Sequence, residues 1–160
     1  MKTTILIISI VLPLLFGNEI HSQTAAQNFS VSQSSFRPLA ATEQEMRQFF
    51  ENYVERYARK DVDGFLGLFS SKAIQNQKNG LPEIRKIYSD FFNQSRELHY
   101  LLEDPKIEIY QNAVEVKARY VIDQIPKEGK QRRIWTGSVR WVLAKENGAL
   151  KILSLDYQHQ

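Results

Sequence analysis

The sequence predicts an α+β fold in which helices come first along the chain and an antiparallel sheet follows. Apolar residues recur at helical spacing between residues 43 and 93. From residue 96 onward, apolar and polar residues alternate with a period of two, and Asn79-Gly80 and Asn147-Gly148 mark turns. Because the helical segments are grouped ahead of the strands, an α+β fold is favoured over an alternating α/β fold.

The composition limits the classes of protein to consider. The chain has 160 residues, no cysteine and a formal net charge of +3. Its length suits one folded domain, and the missing cysteines exclude a disulfide scaffold, a zinc ribbon and a cysteine nucleophile. The small positive charge is well short of what nucleic-acid binding requires, so we expect no nucleic-acid partner.

The N-terminus has the pattern of a secretory signal. Lys2 precedes a short apolar run over residues 4–16, and polar residues follow. We therefore predict a signal peptide over residues 1–22, a flexible lead-in over residues 23–41, a folded domain over residues 42–160 and a periplasmic or secreted location. Cleavage after Ala26 instead of Ser22 is an alternative, because both offer a small residue at the exit position. The alternative is an uncleaved N-terminal anchor, although a spanning helix needs about 20 apolar residues.

Three helices are predicted after the lead-in. Thr42 and Glu45 fit a capping box, and an apolar stripe from Met46 to Tyr57 follows it. Asp61 is placed to cap a short second helix that extends to Phe69, and residues 70–77 are expected to be short and partly extended. Pro82 marks the start of a third amphipathic helix that ends near residue 93.

Strands account for the remainder of the domain. The first begins at residue 96 and is expected to bend at Asp104-Pro105, because proline cannot donate to a ladder. A turn at residues 111–112 leads to a strand over 114–122, and a charged connection over 126–131 leads to a strand over 134–143. The last strand is predicted over residues 150–157.

Two segments resemble those of a known family. Residues 57–70 read YARKDVDGFLGLFS, like the junction between the first and second helices of the nuclear transport factor 2-like superfamily, and residues 141–152 read WVLAKENGALKI, like its final hairpin. The resemblance covers about residues 42–158, and the closest match in type is a small exported bacterial member. Leu150 stands where the family often has Trp. These motifs specify a fold rather than an activity.

The resemblance implies a cone, also called cystatin-like or polyketide-cyclase/ketosteroid-isomerase-like, in which three N-terminal helices pack on a strongly curved antiparallel sheet around a pocket. Fifteen of the 18 aromatic residues lie in residues 42–160. Ten residues are candidates to line the pocket, although aromatic residues at such spacing are also typical of an ordinary core: Tyr53, Tyr57, Phe69, Tyr88, Phe92, Tyr100, Tyr120, Trp135, Gly137 and Trp141. Gly137 would either open the cavity or mark a bulge in a curved strand.

Catalysis in this superfamily uses inward Asp, His or Tyr groups. The candidates here are His99, Asp123 and Asp156, and alternation places His99 on the opposite face from Tyr100. His159 is second from the end of the chain, where we expect disorder. His99 and His159 are the two histidines outside the predicted signal peptide, and without cysteine they give no zinc spacing, so no metal and no cofactor are predicted.

A basic cluster follows the second strand. It comprises Lys127, Lys130, Arg132 and Arg133, and residues 126–151 hold seven basic residues against two acidic ones. An anionic polymer of the cell envelope is one possible partner, and a solvated hairpin is the alternative.

The sequence thus favours an exported, non-enzymatic binding or association module. Its pocket would take a small apolar or amphipathic ligand, and its sheet would form a homodimer, for which Ile134 and Trp135 would suit the interface. The alternative is a small-molecule isomerase, dehydratase or hydrolase that uses a pocket His or Asp with a Tyr.

Overall fold

The computed structural model describes residues 38–129 and 131–160. The predicted signal peptide, all of the lead-in up to residue 37, and Lys130 lie outside these residues. The described elements in chain order are α1 (Glu43–Arg59), α2 (Val62–Leu66), β1 (Phe69–Gln75), α3 (Leu81–Gln94), β2 (Ser95–Ile109), β3 (Val114–Pro126), β4 (Arg133–Glu146) and β5 (Ala149–His159).

Helix α1 begins as the sequence predicts. The Thr42 hydroxyl accepts a bond from the Glu45 backbone N–H at 3.2 Å, and the Glu45 carboxylate accepts from the Thr42 N–H at 2.8 Å. The helix ends at Arg59 and is capped by Lys60, which has a left-handed backbone with φ of 57°. Its buried stripe, which includes Tyr53 and Tyr57, faces the sheet.

Helix α2 is shorter than predicted. Asp61 caps it as expected, because the carboxylate accepts from the Gly64 N–H at 3.0 Å. The helix ends at Leu66, however, and Phe69 opens strand β1. The physical reason is that the Leu68 carbonyl accepts a bond from the Ile152 N–H at 2.8 Å, so the backbone here joins β5 instead of continuing the helix.

The five strands form one curved, unclosed sheet in the order β1-β5-β4-β3-β2. Strands β2 to β5 pair antiparallel, as predicted, whereas β1 adds a parallel pairing with β5. The predicted irregularity at Asp104-Pro105 is confirmed, because the register of β2 on β3 shifts between Glu103 and Lys106.

The helices cover one face of the sheet, which we call the inner face. Phe50 and Tyr53 of α1 place their rings 5.0 and 5.7 Å from that of Trp141 on β4. The opposite, outer face carries ion pairs such as Arg140 with Glu115 and Arg132 with Asp123. Among the described residues, no helix is both long enough and apolar enough to cross a membrane.

Candidate functional site

A cavity of about 320 Å³ lies between α1, α3 and the inner face of the sheet. Six of the seven tyrosines in the chain line it. They are Tyr53, Tyr57, Tyr88, Tyr100, Tyr120 and Tyr157. Helical spacing on α1 and α3 and alternation on the strands direct all six to the same space. We call this space the tyrosine cavity.

One end of the tyrosine cavity is buried and closely packed. Tyr53 is 1% exposed and Tyr57 is 3% exposed. The rings of Tyr57 and Tyr100 lie 4.8 Å apart in an edge-on arrangement, and those of Tyr100 and Tyr120 stack at 6.1 Å. Aromatic rings in these geometries give the wall a fixed shape.

Five of the six phenols that line the cavity have a raised pKa. Burial raises the pKa of Tyr53, Tyr57, Tyr88 and Tyr100 well above its ordinary value, and neighbouring tyrosines raise it further. Burial also raises the pKa of Tyr120 to about 12. A neutral phenol offers a ligand one hydrogen-bond donor beside an apolar ring. At these five positions the wall is therefore apolar with hydroxyl groups, and it carries no phenolate charge near neutral pH.

A chain of hydrogen bonds fixes the opposite end of the cavity. The Trp135 indole N–H donates to Oε1 of Gln124 at 3.2 Å, and Nε2 of Gln124 donates to the Ser95 hydroxyl at 2.8 Å. That hydroxyl donates to the Phe91 carbonyl at 2.7 Å. The indole is 37% exposed, so it borders the opening in a held orientation.

Two more polar side chains border this opening. The hydroxyl of Tyr120 lies 2.7 Å from Nδ1 of His159, and the His159 ring lies 5.6 Å from that of Trp135. Arg133 lines the cavity beside them and is exposed to solvent. No Asp or Glu side chain is among the described residues that line the cavity.

Six of the ten residues predicted for the pocket line the cavity, namely Tyr53, Tyr57, Tyr88, Tyr100, Tyr120 and Trp135. Phe69, Phe92 and Trp141 do not line it. Each is buried in the core, where Phe69 and Phe92 pack against Phe65, and Trp141 packs against Phe50 and Tyr53. These three side chains face inward as predicted, but other aromatic rings separate them from the tyrosine cavity.

Gly137 neither opens the cavity nor marks a bulge, which were the two roles that the sequence suggested. A Cβ at this position would lie 2.0 Å from the Gln158 carbonyl oxygen and 2.7 Å from the Tyr120 hydroxyl, so the space above it is filled. Its pairing with Tyr120 and with His159 is in register, so it marks no bulge either. The glycine lets Tyr120 cross directly over the β4 backbone.

The three candidate catalytic residues do not line the cavity. His99 and Asp123 are cross-strand partners on the outer face, and Asp123 pairs there with Arg132. The Arg132 guanidinium holds the pKa of Asp123 below its ordinary value. Asp156 also lies on the outer face, 3.5 Å from Arg140. No group of three His, Asp or Glu side chains that could hold a metal occurs in the described part of the chain.

The basic cluster is divided by the fold. Arg132 forms an ion pair with Asp123 on the outer face, whereas Arg133 borders the cavity. Lys127 is exposed beyond β3, and its backbone N–H donates to the Gln94 carbonyl at 2.8 Å. Lys130 lies outside the described residues. Binding of an anionic envelope polymer at this cluster stays a prediction.

The sequence analysis missed six polar or aromatic residues of the cavity, which are Phe91, Gln94, Gln124, Arg133, Tyr157 and His159. The signal for Gln124 and Arg133 was present, because both continue the inward alternation of Tyr120 and Trp135 along their strands. Strand β5 extends to His159, two residues beyond the predicted end, and this places the histidine opposite Gly137 instead of in a disordered tail.

No family model matches the sequence, and no curated protein matches it. Solved structures do match the fold. A proposed scytalone dehydratase from Novosphingobium aromaticivorans has a TM-score of 0.68 at 10% identity, over 73% of this chain and 83% of that one. A nuclear transport factor 2-like superfamily protein from Salmonella enterica has a TM-score of 0.65 at 21% identity, over 72% and 89%.

A third structure has a different stated role. A proposed calcium/calmodulin-dependent protein kinase II association domain from Xanthomonas campestris has a TM-score of 0.65 at 10% identity, over 75% of this chain and 89% of that one. At these identities the likeness concerns the fold alone. The chain has the nuclear transport factor 2-like fold that the sequence motifs predict.

Proposed function

We propose that the chain is a binding or association module whose tyrosine cavity holds a small apolar or amphipathic ligand. The observation that carries the proposal is the convergence of six tyrosines on one cavity of about 320 Å³. Ligand sites are concave, mostly apolar and about 300–1,000 Å³ in volume, with a few polar groups that fix orientation. The tyrosine cavity is at the small end of that range, which favours a ligand of no more than about three rings.

The absence of an acid–base pair among the predicted candidates supports a non-enzymatic role. His99, Asp123 and Asp156 face away from the cavity, and no carboxylate lines it among the described residues. General acid–base catalysis needs a group within hydrogen-bond reach of the reacting proton. Tyrosine hydroxyls are the most numerous polar groups of the cavity lining, and they suit binding.

The experiment is a fluorescence titration with N-phenyl-1-naphthylamine, a neutral apolar probe that brightens when it leaves water. Ile122 lines the cavity, and Val121 precedes it on the opposite face of β3. We expect wild type to bind the probe, Ile122→Trp to fill the cavity and abolish binding, and Val121→Trp to retain it. Both variants are first checked for native circular dichroism. No binding by wild type, or equal loss in both variants, would refute the proposal.

Self-association through the outer face of the sheet is part of the proposal. Ile134 is 53% exposed there, and its cross-strand partner Asp123 is already paired with Arg132. An exposed apolar patch on a sheet face often marks an interface, and we expect Ile134 to lie within one. Light scattering should give a dimer mass for wild type and a monomer mass for Ile134→Glu. A monomer mass for wild type at every concentration would contradict self-association.

Export is also part of the proposal, and it rests on the N-terminal sequence. The test is the intact mass of the protein recovered from the cell envelope or the medium of its source organism. We expect a chain that lacks residues 1–22. A full-length chain in the cytoplasm would contradict export.

One observation favours a second candidate function, a small-molecule isomerase, dehydratase or hydrolase. Tyr120 and His159 are within hydrogen-bond distance at the cavity, and a neutral tyrosine beside an imidazole can donate to a substrate oxygen. The discriminating experiment incubates metabolite extract with wild type and with His159→Gln. A metabolite consumed only by wild type would favour the enzyme, and unchanged metabolite profiles would favour the binding module.

A further inference from the structure

We infer that the ligand of the tyrosine cavity carries one anionic group, best matched by a carboxylate, and that Arg133 binds it at the opening. The ligand class is then a small aromatic carboxylate, with its ring among the tyrosines and its charge beside Arg133. This inference rests on the proposed binding function and adds the charge and orientation of the ligand.

The first step is the charge of the cavity lining. Arg133 is the one Lys, Arg, Asp or Glu side chain among the described residues that line the cavity. His159 borders the same opening. A ligand with an anionic group would therefore meet a cation and no opposing carboxylate in the cavity, whereas a cationic ligand would meet a like charge.

The second step is that Arg133 is unpaired where comparable arginines of the sheet are paired. Arg119 contacts Glu103 at 3.0 Å, Arg132 contacts Asp123, and Arg140 contacts Glu115. Arg133 makes no ion pair with a carboxylate of the described residues, although it adjoins Arg132 in the sequence. Its guanidinium is thus free to present parallel N–H donors to a carboxylate, the geometry of a bidentate pair.

The third step is the orientation of the groups around Arg133. Arg133 and Trp135 lie on the same face of β4, and Gln124 is the cross-strand partner of Arg133. Gln124 is already bonded to Trp135 and Ser95, so it holds the indole in place. A ring that enters between the indole and the buried tyrosines would leave its substituent at the solvent-facing end, where Arg133 stands.

The test uses a pair of ligands that differ in charge but hardly in shape, 2-naphthoate and 2-naphthamide. Each displaces N-phenyl-1-naphthylamine from the cavity in a competition titration. We expect wild type to bind 2-naphthoate about fivefold more tightly than 2-naphthamide, a modest preference because Arg133 is exposed to solvent. Arg133→Gln should remove the preference and leave the affinity for 2-naphthamide within about twofold.

Arg132→Gln is the matched control, since it removes the neighbouring charge on the outer face. It should keep the preference for 2-naphthoate. Equal affinities of wild type for the two ligands, or equal effects of the two substitutions, would overturn the inference while the proposed binding function stands. If the neutral fluorescent probe does not bind wild type at all, the proposed function fails, and this inference fails with it.

Discussion

The hydroxyl of Tyr120 on β3 and Nδ1 of His159 on β5 lie 2.7 Å apart, although strand β4 runs between them. They meet above Gly137, the β4 residue that pairs with Tyr120 on one side and with His159 on the other. The contact closes one side of the tyrosine cavity and connects the C-terminal strand to the middle of the sheet. Its geometry depends on a residue without a side chain at position 137.

Gly137→Ala should therefore destabilise the protein. The added Cβ would meet the Gln158 backbone at 2.0 Å, which cannot be relieved by turning a side chain. We expect the free energy of unfolding to fall by about 2–3 kcal/mol in urea denaturation. Gly80→Ala is the control, because a Cβ there makes an ordinary 3.4 Å contact with Glu83. Equal effects of the two substitutions would show that position 137 is not crowded.

The Tyr120–His159 contact should be measurable as a coupling energy. Tyr120→Phe and His159→Phe each remove one partner of the hydrogen bond and retain an aromatic ring. In a double-mutant cycle of unfolding free energies we expect a coupling of about 1 kcal/mol. Additive effects, within about 0.3 kcal/mol, would mean that the two side chains do not interact in solution.

The fold was largely predictable because its elements leave local signals. The capping box of Thr42 and Glu45, the Asp61 cap and the alternation of β2 to β4 were each confirmed. Strand β1 was harder to predict, because residues 70–75 show no sustained period and the strand pairs in parallel with β5, at least 80 residues later. Long-range pairing of this kind leaves no mark on the local sequence.

The cavity was predictable only in part, for a different reason. Periodicity indicates which side chains face inward, and it correctly put Phe92 and Trp141 inside along with Tyr57 and Tyr100. It does not indicate which inward side chains border an empty space, since that depends on how three elements meet. Arg133 and His159 were missed because polar side chains near a loop and near the chain end are usually solvated.

Gln75 should be replaceable with a gain in stability. Its side chain is fully buried, and neither amide atom has a hydrogen-bond partner among the described residues. Because an unpaired buried amide costs about 1–3 kcal/mol, we expect Gln75→Met to raise the free energy of unfolding by about 1 kcal/mol. Gln124→Met is the contrasting control and should lower it, because the Gln124 amide bonds to Ser95 and Trp135. A loss of stability in Gln75→Met would contradict this view of Gln75.

The buried tyrosines should make the protein unfold in alkali. The pKa values of Tyr53, Tyr57, Tyr88 and Tyr100 are raised in the folded state, so the unfolded chain releases these protons first as the pH rises. Stability is thus complete below about pH 10 and falls above it, by about 1.4 kcal/mol per pH unit for each fully buried phenol. Tyrosinate absorbance should rise together with the loss of circular dichroism. Ionisation of these tyrosines in a chain that stays folded would contradict the prediction.

The central claim, that the cavity binds a small apolar ligand, is tested most directly by NMR of ring-labelled tyrosine. Six tyrosines line the cavity, whereas Tyr110 lies outside it, between β2 and β3, and is 48% exposed. Addition of N-phenyl-1-naphthylamine should shift the signals of the six and leave that of Tyr110 in place, with assignments made by single Tyr→Phe variants. Unchanged signals from all seven tyrosines, or a shift of Tyr110 alone, would contradict the claim.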